Sequence, residues 1–128
     1  MAPTIMMSLV FSLSWVYAAS ASKPTCVPNY KTVAGDSIFS IPPEHSISTL
    51  ALIDDNQLDV WKNQTFPVNT PLCLPNRCQI YQVQEDDSCD GVAATFHLTL
   101  NQFISLNPGL KDNCQYLPEL GGYYICSG

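Results

Sequence analysis

The chain has little positive charge. Five Lys and Arg stand against eleven Asp and Glu, a formal net charge of -6 at pH 7. Nucleic acid and anionic membrane surfaces both call for a basic face, so neither is an expected partner. Histidine is also scarce, with only His45 and His97, and no CxxC or CxH spacing occurs. That removes the usual thiolate and imidazole frames for zinc, and no metal or cofactor is expected. No serine lies in a nucleophile-elbow setting, which leaves a catalytic triad without its first member. Finally, no apolar run reaches the ~20 residues of a membrane span. The nearest, over 5–19, is followed by "AASASK". With Ala19 and Ala21 at the minus-three and minus-one positions, residues 1–21 read as a secretory signal peptide, although no Lys or Arg precedes the apolar run. An uncleaved anchor is the competing reading, and the run is too short for it.

Cysteine, by contrast, is plentiful. Cys26, Cys73, Cys78, Cys89, Cys114 and Cys126 all follow the expected cleavage point, and an even number in a short secreted chain reads as a disulfide framework.

The chain can be laid over itself. Residues 30–56, "YKTVAGDSIFSIPPEHSISTLALIDDN", align without a gap on residues 81–107, "YQVQEDDSCDGVAATFHLTLNQFISLN". Tyr30 meets Tyr81, Asp36 meets Asp87, Ser37 meets Ser88 and Asn56 meets Asn107; Ile41, Ile47, Leu52 and Ile53 meet Val92, Leu98, Phe103 and Ile104. In the second copy Ile80 and Val83 around Tyr81 suit a strand. Asp87 or Ser88 offers a cap to a helix carrying Val92, Ala93, Ala94 and Phe96. Thr99 with Gln102 forms a capping-box pattern opening a second helix, which should stop at Asn107 because Pro108 and Gly109 follow. The β-prone "YYIC" at 123–126 then returns beside the first strand, with one of Tyr123 and Tyr124 facing the core and the other outward. The order is strand, helix, helix, strand.

Units of about 50 residues need cross-links to supplement a small core. Antiparallel pairing of first and last strands brings Cys78 near Cys126 and Cys26 near Cys73. The first copy has Ile38 where the second has Cys89, and it also lacks a counterpart of Cys114. Cysteines absent together are most simply bonded together, so Cys89 with Cys114 completes the favoured scheme among fifteen possible pairings.

The ordered set "YQVQEDDSC", "LTLNQFISLNPGL", "DNC" and "LGGYYIC" resembles the LysM (lysin motif) family in its cysteine-containing fungal form. The first copy keeps the family's Gly before Asp in "AGDS", where the second has Asp86. It departs in Pro42 and Pro43 inside its expected first helix, in Gln57 in place of the proline after Asn56, and in a poorly marked last strand, "NTPLCLP". The resemblance implies an α+β fold of two small disulfide-stapled βααβ modules in tandem, a divergent one over 26–74 and a second over 78–127. It also implies binding of chitin or other N-acetylglucosamine oligomers, with peptidoglycan as a related partner and a ligand-induced dimer as one form of the complex. Carried over position by position, the groove is nominated at Asp87, Ser88, Cys89 and Asp90 opposite Asn107, Pro108, Gly109 and Leu110. In the first unit it is nominated at Gly35, Asp36, Ser37 and Ile38 opposite Asn56, Gln57, Leu58 and Asp59. Fungal proteins of this kind resemble LysM effectors, secreted or wall-associated and without catalysis, which sequester chitin fragments or shield the wall. A rival from another class is a small secreted structural or inhibitory protein that uses the same scaffold to contact protein.

The acid-rich stretch "QEDDSCDGVA" has two sharper readings, and both fail on chemistry. Asp86, Ser88, Asp90 and Gly91 match positions one, three, five and six of an EF-hand calcium loop, but position twelve is His97 where a bidentate Glu is required. A glycosidase needs two carboxyls facing each other across a cleft, whereas four acids on one turn are more simply solvated near a helix N-terminus. Trp61 is the sole tryptophan after the expected cleavage point; it either stacks on sugar or fills space beneath a long loop. "NQT" marks Asn63 as a glycosylation sequon. Only "LPNR" separates Cys73 from Cys78, a span of at most ~14 Å, so the two units are held close.

Overall fold

A computed structural model describes residues 26–62 and 64–128. The expected signal peptide and the sequon asparagine at 63 lie outside the described residues. The chain runs through β1 (Tyr30–Lys31), α1 (Ile41–His45), α2 (Thr49–Asp55), β2 (Pro71–Leu72), β3 (Ile80–Gln82), α3 (Cys89–Thr95), α4 (Leu100–Leu106) and β4 (Tyr124–Cys126). Two 3-10 segments, Pro108–Leu110 and Cys114–Leu120, fill the connection between α4 and β4, where the sequence suggests an irregular loop. The fold is α+β: each half pairs its first and last strands antiparallel, Tyr30 opposite Leu72 and Tyr81 opposite Ile125, and sets two short helices against that ribbon.

Local chemistry accounts for the helix boundaries. Ser88 and Ser48 accept the Gly91 and Ala51 N–H groups as N-caps of α3 and α2. Thr99 and Gln102 close a reciprocal capping box on α4, each satisfying a backbone N–H of the other. Phe96, expected within α3, is its C-cap residue instead. Pro42 and Pro43 are tolerated in α1 because they occupy its first turn, where a missing N–H removes no intrahelical bond; the helix stays five residues long.

Two-stranded ribbons are marginal on their own, and the fold compensates in two ways. Val83, Val92, Phe103, Leu110, Leu117 and Ile125 form one buried cluster, and Ile41, Ile47, Leu52 and Leu72 another. Disulfides join Cys26 to Cys73, Cys78 to Cys126 and Cys89 to Cys114, with Cα separations of 6.2, 5.6 and 5.8 Å. The first two clip the ends of each half over 47 and 48 residues, each contributing about 4 kcal/mol by restricting the unfolded chain.

The halves also pack on each other. Leu50 of α2 lies against the second cluster, Thr49 Oγ1 accepts the Tyr124 N–H at 3.0 Å, and the Cys78 N–H reaches the Ser46 carbonyl at 3.0 Å. Phe39 meets Tyr123 edge to face, centroids 6.4 Å apart. That contact corrects the expectation of one inward and one outward tyrosine. Tyr123 precedes β4, and both tyrosines are half-buried while Ile125 takes the core position.

Candidate functional site

The same set of side-chain bonds recurs in both halves and fixes the loops nominated as groove walls. On the strand side, Tyr81 donates its hydroxyl to Asp87 Oδ2 at 2.7 Å, and the same oxygen accepts the Gln84 N–H at 2.8 Å. Tyr30, Asp36 and Val33 repeat this at 2.7 and 2.9 Å. Each tyrosine also meets a ring edge to face: Phe96 for Tyr81 at 5.4 Å, His45 for Tyr30 at 5.0 Å. Accepting carboxylates hold both phenols in the neutral form, assisted by desolvation, and push them up from 10.0 to about 12.

On the helix side, Asn107 Nδ2 donates to the carbonyls of Phe103 and Cys126 while its Oδ1 accepts the Cys126 N–H. Asn56 does the same with Leu52 and Cys73. These matched Asp and Asn pairs of the internal repeat are therefore structural clamps. Asp87 and Asn107 set the shape of their loops with side chains already engaged.

The remaining nominated residues divide by exposure. Cys89, Leu110 and Ile38 are buried, at 4%, 1% and 0% exposure, and belong to the interior rather than to the surface. Asp36 is buried behind Tyr30. Ser88 and Ser37 are engaged locally, Ser88 with Gly91 and Ser37 with Ser40. Asp90, Pro108, Gly109, Gly35, Gln57 and Asp59 are exposed, and Leu58 is half-buried. Gly35 has a φ of 90°, a turn conformation favouring glycine. Asp59 Oδ1 accepts the Trp61 N–H. Trp61 itself is 86% exposed, which disposes of the space-filling role.

The two walls of the second half are joined covalently, because Cys89 at the start of α3 is bonded to Cys114 in the connection after α4. In the first half a backbone connection replaces that bond. The Ile38 N–H donates to the Gln64 carbonyl at 3.0 Å, the Phe66 N–H to the Asp36 carbonyl at 3.3 Å, and Ser37 bridges Thr65. The substitution of Ile38 for cysteine thus costs the first half a staple and leaves a short ladder in its place.

Three surface depressions adjoin these walls. One of about 550 Å³ lies between residues 82–86 and 121–122. Another of about 480 Å³ runs along α4 beside Leu110, Lys111 and Gln115. A third, about 100 Å³, is formed by both halves: Leu50, Ala51 and Asp55 on α2 face Leu106, Pro108 and Gly109. Alignment of the two copies holds no sign of the last, since it depends on how the copies pack.

The second half is thus a small α+β scaffold whose loops are fixed by the Asp87 and Asn107 clamps and by the Cys89–Cys114 bridge. Residues 81–113 match the LysM domain family, so the second half carries a LysM domain. The chain is similar to fungal LysM effectors. It is 28% identical over 103 residues to a protein named Non-secreted LysM effector LCP1 from Gibberella moniliformis, covering 80% of this chain and 14% of that one. It is 25% identical over 114 residues to Secreted LysM effector Vd5LysM from Verticillium dahliae, covering 86% and 16%. It is 31% identical over 129 residues to Secreted LysM effector ldpB from Aspergillus fumigatus, covering 80% and 42%. The chain spans less than half the length of each of these relatives.

Proposed function

We propose that the protein is secreted and binds chitin or shorter N-acetylglucosamine oligomers without catalysis, acting as an effector that sequesters chitin fragments or shields the fungal wall. The observation that carries this reading is the LysM match over residues 81–113, which spans the loop after β3, the stapling Cys89 and the start of the connection after α4. An uncharged sugar is read by backbone N–H and C=O groups and by apolar contact with its ring faces. Helix ends expose such backbone groups, and Asp87 and Asn107 hold them in place.

Both halves are read as LysM modules, 26–74 and 78–127, because the Tyr–Asp and Asn clamps recur residue for residue. The first half is the weaker binder. Its Ile38 N–H and Asp36 carbonyl are already paired with the loop around Gln64, although the exposed Trp61 offers that half a stacking face.

Retention on insoluble chitin tests the proposal. The disulfide-bonded protein should stay on the resin and elute with soluble chitin oligomer, with peptidoglycan fragments as a competitor. Passage through the column unretained would favour the protein-contacting alternative.

A further inference from the structure

We infer that the cavity between the two halves is a subsite for the acetyl group of one N-acetylglucosamine unit, so that first-half residues complete the sugar site of the second half. The inference rests on the carbohydrate-binding reading above and specifies it further.

Size is the first argument. A volume of about 100 Å³ has room for roughly three waters, and therefore for a group of about three heavy atoms. An acetyl group has three heavy atoms and matches that space. The chemistry of the lining is the second argument. Ala51 from α2 and Leu106 and Pro108 from the second half give apolar surface for a methyl group. Ser48 lines the same space and is itself buried at 4% exposure. Its Oγ accepts the Ala51 N–H at 3.2 Å, a bond that uses only the acceptor side of the hydroxyl and leaves its proton for a ligand carbonyl. Asp55 supplies an acceptor for the acetamide N–H or a neighbouring hydroxyl.

Position is the third argument. Gly109, one of the exposed residues nominated on the second half's helix-side wall, is close enough to Leu50 that an added Cβ would lie 3.8 Å from that side chain. A sugar chain lying on that wall therefore runs alongside α2, and an acetyl group directed off the wall enters the space between them. Thr49 with Tyr124, and Leu50 with the second cluster, hold α2 at this distance. Binding then requires no closure of one half on the other.

Titration calorimetry of the full disulfide-bonded chain with the N-acetylglucosamine tetramer tests this. Ala51→Leu suits helical backbone and fills the cavity from α2. It is expected to weaken tetramer binding by about tenfold or more while leaving the circular dichroism spectrum unchanged. A folded Ala51→Leu protein that binds like wild type would overturn the subsite and leave the carbohydrate reading intact. A wild type that binds no tetramer would overturn both. Should Ala51→Leu fail to fold, amide spectra of the wild type decide the matter. Ala51, Asp55 and Gly109 should shift along one saturation curve, and saturation with Ala51 and Asp55 unmoved would overturn the subsite.

Discussion

Asn107 and Cys126 exchange a pair of hydrogen bonds. The side-chain Oδ1 accepts the Cys126 N–H and Nδ2 donates to the Cys126 carbonyl, both at 2.7 Å. The second Nδ2 proton goes to Phe103, so a single buried amide ties the end of α4 to β4. Truncation would strand several buried backbone groups at once. Asn107→Ala is therefore expected to lose about 2–4 kcal/mol of stability, measured by urea unfolding, and Asn56→Ala less because Asn56 is half-buried. Equal stability of Asn107→Ala and wild type would refute the clamp. The variant is consequently a poor probe of ligand contact: any binding it loses tracks its loss of fold.

The tyrosine clamps give a prediction in alkali. Tyr30 and Tyr81 are pushed up to about 12 by their hydrogen bonds to Asp36 and Asp87. Their contribution is complete below about pH 10, where the tyrosines of the unfolded chain are still protonated. It is lost as pH rises from about 10 to 12, because the unfolded state releases its protons first. Ultraviolet titration should show two tyrosines ionising late. Tyr81→Phe should remove one of them and flatten that part of the stability decline between pH 10 and 12; an unchanged titration curve would contradict the assignment.

Removal of the Cys89–Cys114 bridge separates stapling from folding of the core. The bridge closes 25 residues, so the double alanine variant is expected to lose about 3 kcal/mol. The Cys26–Cys73 and Cys78–Cys126 bonds clip the strand ends and survive. Carbohydrate binding should fall by more than the unfolded fraction explains, since the bridge joins the two walls. Binding that declines only in proportion to unfolding would assign the bridge to stability alone.

Trp61 stands outside both clusters at 86% exposure. Trp61→Ala should change stability by no more than about 0.5 kcal/mol. In the wild type, chitin oligomers should quench indole emission if the first half contributes a stacking face. Emission indifferent to saturating oligomer would remove that role.

Much of the architecture is legible in the sequence because it follows local rules. The Ser88 cap, the Thr99–Gln102 box and the stop at Asn107 are set by neighbours within four residues. The disulfide pairs are equally readable, since Ile38 in place of Cys89 and the missing counterpart of Cys114 mark one bridge by its joint absence. The roles of individual site residues are less accessible. A repeated Asp or Asn reads the same in one dimension whether it meets a ligand or a backbone, and here Asp87 and Asn107 meet the chain itself. The ring partners of Tyr30 and Tyr81 occupy matched positions as His45 and Phe96, a correspondence of shape that letter identity conceals. Carry-over from the LysM resemblance nominates Leu110 and Ile38, and tertiary packing turns both inward. Contacts between the halves, Thr49 with Tyr124 and Phe39 with Tyr123, leave no trace in either copy because they belong to neither.

In the proposed function, loop backbone held by Asp87 and Asn107 binds an N-acetylglucosamine chain. Amide chemical-shift mapping of the disulfide-bonded protein during titration with a chitin oligomer tests it most directly. Saturable shifts are expected at Ser88, Cys89, Asp90, Gly109 and Leu110, with the Asp87 and Asn107 clamps intact throughout. Saturating oligomer that leaves these amides unmoved would contradict it.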